Sequence, residues 1–311
     1  MKLNSIKVAV PATVSNVGCG FDVMGFAVDL ICDEVTVKKT NTNQIRITKI
    51  IGDNGKLPLD VESNTCGKAV QAIADDFKFD FGLDIKIKKI IGFGSGLGSS
   101  AASAVAGVFA VNKLLNLRLT KQQLLNYALK GEEVASKAIH ADNVAPCLYG
   151  GFVLIRGYNP IDIINIKAPK NLYCTIIHPQ IEIKTSEARK ILPKNIPLKK
   201  AITQWGNVGG LVAGLMSNNI SLIGRSVHDE IAEPKRANLI PGFSDIKKSA
   251  LNSGAVACSI SGSGPAIFAF SDNYKTANEI GSAMSKTAAK NGLKNKIYVS
   301  KINSSGPKII S

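Results

Sequence analysis

Two hydrophobic rhythms divide the chain. Where every second position is apolar, strands are expected, at residues 6–10, 34–38, 44–50 and 83–91. In the last of these, Ile85 and Ile87 face inward, and Lys86 and Lys88 face outward. Where apolar positions recur every three or four residues, helices are expected. Residues 64–77 set Ala69, Val70, Ile73, Ala74 and Phe77 on one face. An alanine-rich run, from 101 to about 115, predicts a second helix. Thr120 and Gln123 have the spacing of a capping box and open a third, reaching about Lys137. Residues 150–156 return to strand.

Beyond Gly157 the texture changes. Two prolines and alternating isoleucines occupy 159–171, so a domain boundary is expected there, dividing the chain into 1–158 and 159–311. A strand at 174–178 and helices at 199–216, 221–231 and 243–252 follow, the last ended by Gly254. Strands at 256–261 and 265–270 are joined by S-G-S-G as a hairpin-like pair. A helix at 275–291 and a strand at 296–302 complete a mixed α+β order in both halves.

Composition narrows the class. A chain of 311 residues that is 45% hydrophobic can bury substantial cores, and no apolar run is long enough to span a bilayer. The first ten residues alternate like a strand and show neither the apolar core nor the cleavage site of a signal peptide, so a cytoplasmic protein without membrane contact is expected. The six cysteines are scattered and form no C-x-x-C pair, which suits reduced thiols. The net charge of +15 raises the question of nucleic acid, but the lysines are dispersed and aromatics reach only 6%. It reads as a lysine-rich surface that helps attract anionic ligands, with no nucleic-acid partner.

The most informative chemistry lies at 91–103, I-G-F-G-S-G-L-G-S-S-A-A-S. Gly92, Gly94, Gly96 and Gly98 clear side chains from a ligand's path, and Ser99 and Ser100 follow at once. A helix beginning there points its free N–H groups and its positive dipole end at the loop, which makes a phosphate site. No G-K-[ST] follows, so the loop is not the common P-loop, and no G-x-G-x-x-G opens the first βα unit. A flexible linker is the alternative, but a linker has no reason to run into a packed apolar helix.

G-L-G-S-S-A-A resembles the phosphate loop of the GHMP kinases, with Gly92 where that loop usually carries proline. Further segments resemble the homoserine kinases of this superfamily. They are P-A-T-V-S-N-V-G-C-G-F-D (11–22), G-E ahead of H-A-D-N-V-A-P (140–146), K-T-S-E-A-R-K-I-L-P, E-P-K-R-A-N-L-I-P-G and I-S-G-S-G-P-A-I-F-A-F. The resemblance runs in family order from Pro11 to Phe270. It implies a two-domain GHMP kinase fold, with a left-handed βαβ unit in the first domain and a ferredoxin-like second domain, and commonly a homodimer. It implies transfer of the ATP γ-phosphoryl group to the hydroxyl of L-homoserine, the step before threonine synthase.

Roles follow from the same resemblance. ATP is expected on Gly92, Phe93, Gly94, Ser95, Gly96, Leu97, Gly98, Ser99, Ser100, Ala101 and Ala102, with Asn64 near the adenine. Mg2+ is expected on Glu132 and Ser100. Asn16 and Asp22 are expected at the homoserine amino group, Arg189 and Arg236 at its carboxylate, and His140 beside the acceptor pocket. The loop Gly262–Gly264 is expected to support the phosphate loop and close the cleft. Asn143 aligns with the catalytic aspartate of other GHMP kinases. An amide cannot act as a general base, so Asn143 is expected only to orient the hydroxyl, while the direction of the adjacent Asp142 stays open. The rival readings are another GHMP small-molecule kinase of mevalonate type, a non-catalytic ligand sensor on the same scaffold, and a basic nucleic-acid-binding module.

Overall fold

A computed structural model of the chain describes residues 4–136 and 141–311. Strands β1 (Ser5–Ser15), β2 (Met24–Thr40) and β3 (Ile45–Ile51) lead into helix α1 (Thr65–Phe77) and strand β4 (Gly82–Lys88). Helices α2 (Ser99–Leu115), α3 (Lys121–Ser136) and α4 (Ala141–Tyr149) follow, then strands β5 (Phe152–Tyr158) and β6 (Ile161–Ile166). The second half runs β7 (Tyr173–Pro179), α5 (Thr185–Lys190), α6 (Leu198–Met216), α7 (Ile220–Ser226), α8 (Glu233–Arg236), α9 (Phe243–Asn252), β8 (Ala257–Ile260), β9 (Ile267–Ser271), α10 (Tyr274–Lys290), β10 (Asn295–Lys301) and β11 (Lys308–Ile309).

The first sheet has the path β11-β1-β2-β4-β3, with β5 and β6 continuing from β2. Its strands are antiparallel except β3 and β4, which are parallel and joined through α1 in a βαβ unit. The expected break between 158 and 159 falls inside this sheet, because the isoleucines of β6 pair antiparallel with β5. The second sheet begins only at β7, and β11 returns the chain end to β1. The order of the second sheet, β10-β7-β9-β8, with helices between β7 and β8 and between β9 and β10, is the ferredoxin-like βαββαβ arrangement.

Local chemistry explains most of the boundaries. Gln123 Oε1 accepts from the Thr120 backbone N–H at 2.9 Å, and Thr120 Oγ1 accepts from the Gln123 N–H at 3.2 Å, the reciprocal capping box expected for α3. The helix expected over 221–231 ends at Ser226 as α7. The chain then turns around the Asp229 carboxylate, which accepts from the N–H groups of Ile231, Ala232 and Glu233 at 2.8–3.0 Å. α2 is buried on nearly every face, with alanines that let it pack closely on β1 and β2. Phe26 and Phe152 of the first sheet meet Phe268 and Phe270 of the second, so one hydrophobic core runs through both halves. Among the described residues, no helix is long and apolar enough to cross a membrane.

Candidate active site

The two sheets leave a cleft of about 550 Å³, lined from the first half by the loop before α2 and from the second by the segment after β7. The loop runs 92–98, between the end of β4 and α2. At Gly98 the chain has φ +68°, and a Cβ there would lie 2.0 Å from the Thr13 hydroxyl. Only glycine fits such a place. No side chain caps α2, so its first-turn N–H groups are left for a ligand. The loop carbonyls are turned into protein instead. Leu97 O accepts from Thr13 N at 3.1 Å, Ser95 O from Ala266 N at 3.0 Å and Gly96 O from the Ser261 hydroxyl at 2.6 Å. Donors facing outward and acceptors satisfied behind them make a concave anion site.

Beneath the loop lies a buried ion pair that the sequence did not single out. Lys89 meets Asp33 and donates to Ser99 O at 2.7 Å and Ser103 Oγ at 2.8 Å. Asp33 also accepts from the N–H groups of Ile90 and Ile91, at 2.7 and 2.9 Å. This network ties the end of β4 to the first turn of α2.

Ser100, in that first turn, donates to Glu132 Oε1 of α3 at 2.8 Å. Glu132 is only 4% exposed, and burial is the main reason its carboxyl pKa is raised from 4.5 to about 7. A hydroxyl and a carboxylate, both hard oxygen ligands, meet where phosphates would lie, which suits magnesium shared with a nucleotide. Among the described residues, no three His, Cys, Asp or Glu side chains gather to hold a metal by themselves.

No element was expected over 141–149, and α4 there carries Pro146 inside it. The carbonyl of Asp142, which would accept from the N–H that proline lacks, faces Gly25, where a Cβ would stand 1.9 Å away. This helix aims Asp142 and Asn143 together into the cleft. Asn143 Oδ1 accepts from the Thr13 hydroxyl at 2.9 Å, against the N-terminus of α2. Asp142 is 2% exposed, and one of its carboxylate oxygens has no hydrogen-bond partner among the described residues. Burial first, and the charge of Asp22 second, raise its pKa from 3.8 to about 7. The direction of Asp142, left open by the sequence, is thus toward the cleft. His140 lies outside the described residues.

The acceptor end is built from the first loop and the second domain. Asp22 takes Arg189 Nη2 on both carboxylate oxygens, each at 2.9 Å. The two residues expected at opposite charges of the acceptor therefore meet each other here. Arg236 is 4% exposed and donates to Gly262 O at 2.7 Å and Ala188 O at 3.2 Å. The Phe21 ring carries both guanidinium groups, with Arg189 Cζ at 5.4 Å and Arg236 Cζ at 5.1 Å from its centroid. Tyr158 OH donates to Asp22 O at 2.6 Å, holding the left-handed turn at that residue.

Some expected contacts are redirected. Asn16 lines the cleft, but its amide donates to Gly262 O at 3.0 Å and its carbonyl accepts from Asp22 N at 3.2 Å. Both polar ends shape the loop. Asn64 also lines the cleft while serving as the N-cap of α1, accepting from Cys66 N at 3.0 Å and Gly67 N at 3.3 Å and donating to Pro58 O at 2.9 Å. The side chains of Leu97, Ala101 and Ala102 are buried in the core, so these residues can meet a nucleotide only through the backbone, and Gly92 stands behind the cleft wall. Phe93, Gly94, Ser95, Gly96, Gly98, Ser99 and Ser100 face it. Thr13, Lys89, Asp33 and Phe21 contact the cleft residues and were not singled out by sequence reasoning. A hydroxyl in the first motif and a lysine just before the glycines were the available signals.

Comparison with known proteins agrees with this geometry. The family descriptions "GHMP kinases N terminal domain" and "GHMP kinases C terminal" match residues 64–151 and 211–290. The homoserine kinase of Chlorobaculum tepidum is 48% identical, over 96% of each chain. A crystal structure of homoserine kinase from Cytophaga hutchinsonii superimposes with a TM-score of 0.98 at 53% identity, covering 100% of this chain and 98% of that one. A mevalonate kinase from L. major, at 16% identity and TM-score 0.71 over 95% and 96% of the two chains, shares the fold.

Proposed function

This chain belongs to the homoserine kinases of the GHMP kinase superfamily, and we propose how its cleft moves the γ-phosphoryl group of ATP to the hydroxyl of L-homoserine. The supporting observation is that the Ser100–Glu132 pair at the start of α2 and the Asp22, Arg189 and Arg236 cluster open into one cleft, with Asn143 among the residues lining it.

In this reading the α2 N–H groups and the loop backbone hold the phosphates, with the Lys89–Asp33 pair bracing the first turn of α2 from below. Glu132 and Ser100 would hold magnesium, which would neutralise charge building on the transferred group. The acceptor is a zwitterion and replaces an internal ion pair. Its ammonium takes Asp22 and its carboxylate takes Arg189 and the buried Arg236, so each of these charges keeps a partner. A planar guanidinium fork suits a carboxylate better than an ammonium would. Asn16 contributes by holding the Asp22 loop, and Asn143, fixed by Thr13, orients the acceptor hydroxyl for in-line attack. Phosphoryl transfer needs positioning and charge neutralisation more than a strong base, so the hydroxyl proton passes to the γ-phosphate itself. Asp142, a buried carboxyl beside Asp22, lines the acceptor pocket and is assigned no role as the base in this reading.

The reading includes a cytoplasmic setting, a place in threonine biosynthesis and a homodimer. Incubation with Mg-ATP and L-homoserine should give ADP and O-phospho-L-homoserine by phosphorus NMR, and light scattering should give twice the chain mass. Phosphorylation of mevalonate with homoserine left untouched would favour the mevalonate-type reading.

A further inference from the structure

Gly92 is a glycine of the phosphate loop whose backbone does not require one. Gly94, Gly96 and Gly98 have φ of +62°, +77° and +68°, whereas Gly92 is not in the left-handed region. A neighbour excludes a side chain instead. A Cβ on Gly92 would lie 2.8 Å from Cε1 of His178, inside the roughly 3.5–4.0 Å of an ordinary carbon contact. His178 stands in β7, in the second sheet, and is 8% exposed. Gln180 pins it, with Nε2 3.3 Å from the ring Nδ1 and donating to the His178 carbonyl at 3.0 Å. Burial, and Lys296 after it, lower the imidazole pKa to about 4, so the ring is neutral at ordinary pH.

The contact sits at a sensitive point. The carbonyl of Ile91, just before Gly92, accepts from the Ser99 hydroxyl at 3.1 Å. Ser99 begins α2, and the next residue, Ser100, donates to Glu132. A displacement at Gly92 is therefore passed by one hydrogen bond to the turn that meets the phosphates. The same segment touches the loop again further on. A Cβ on Gly94 would lie 2.7 Å from Glu182 Cγ, and the Glu182 carboxylate pairs with Lys56 at 2.7 Å.

We infer that His178 is a positioning residue for the nucleotide, its ring in the second domain fixing where the phosphate loop starts and so how the first turn of α2 meets ATP. It acts through Gly92 and touches neither substrate. The inference rests on reading that loop as the ATP phosphate site.

A double-mutant cycle on the full chain tests it, with Gly92→Ala, His178→Ala and the pair together, and with KM for ATP and for homoserine and a melting midpoint measured for each. Gly92→Ala should raise the ATP KM about tenfold and change the homoserine KM by less than about twofold. His178→Ala alone should also raise the ATP KM, by about fivefold, because the loop start loses its stop, and the pair should return to within about threefold of the parent, because the added methyl group then fills the space the ring left. Should His178→Ala fail to fold, His178→Asn leaves a shorter planar amide with the same expected rescue. A parental ATP KM in either single variant, equal rises in both KM values, or no rescue in the pair would each overturn the inference. Absence of ATP turnover in the parent would instead overturn the functional reading beneath it.

Discussion

Replacing Glu132 with glutamine should make the protein more stable and less active, for one reason. The Glu132 carboxyl is raised from 4.5 to about 7, mainly by burial, with Asp142 adding to the rise and the Ser100 hydrogen bond and Lys89 opposing it. A group that holds its proton more tightly when folded lends its stabilisation fully below its unfolded pKa and loses it as pH rises through the folded value. For Glu132 that window runs from 4.5 to about 7. At about 1.4 kcal/mol per unit, the shift from 4.5 to about 7 makes the ionised side chain cost about 3 kcal/mol above the window. Glutamine keeps the volume and still offers an oxygen to Ser100, but it never ionises. Urea unfolding of both proteins in EDTA, at pH 5 and pH 8, checks this. The variant should be more stable by only about 0.8 kcal/mol at pH 5 and by about 3 kcal/mol at pH 8. Phosphoryl transfer should fall by about a hundredfold or more, since a neutral amide is a poor magnesium ligand. A stability gap that does not change with pH, or one that favours the parent at pH 8, would refute the reasoning.

Arg236→Lys should raise the homoserine KM by about tenfold or more and leave the ATP KM near the parent's, because the guanidinium fork is lost; a raised ATP KM alone would move Arg236 to the nucleotide. Gly98→Ala should cost about 1–3 kcal/mol and most ATP binding, since the new methyl group meets the Thr13 hydroxyl in a left-handed conformation; near-parental ATP affinity would contradict it. Asn143→Ala should lower kcat without changing the shape of its pH profile, and Asp142→Asn should be milder. A drop of about 10²–10⁴ in kcat with loss of the acidic limb in Asp142→Asn would make Asp142 the base.

What could be read from the sequence was local. The alternation of β3 and β4, the helical face of α1, the capping box of α3 and the glycine loop before α2 are each written in contiguous residues. Ser100 was placed by its loop and Glu132 by its family motif, and the structure joins them. Other features were hidden by competing signals. α4, with Pro146 inside it, was assigned no element, and the isoleucines of β6 stood beside two prolines and read as a boundary. The strand expected at 6–10 stopped short of the P-A-T-V-S run, yet β1 continues through it to Ser15. Contacts between distant residues had no local signature at all. Thr13 reaches Asn143 across 130 positions, and Asp22 reaches Arg189 across 167. The sequence put Asp22 and Arg189 on opposite ends of the acceptor because it could not show that they already neutralise each other. Phe21 beneath the two arginines and His178 behind Gly92 were invisible for the same reason.

The cleft's assignment to a zwitterionic alcohol is tested most directly by ADP release from Mg-ATP with L-homoserine beside two truncated analogues, 4-hydroxybutyrate without the amino group and 3-aminopropan-1-ol without the carboxylate. Homoserine should turn over, and each analogue should lose at least about a hundredfold in kcat/KM, because Asp22 or the arginine pair is then left without its charge. Equal turnover of homoserine and either analogue would contradict the pairing of Asp22 with the ammonium and of Arg189 and Arg236 with the carboxylate.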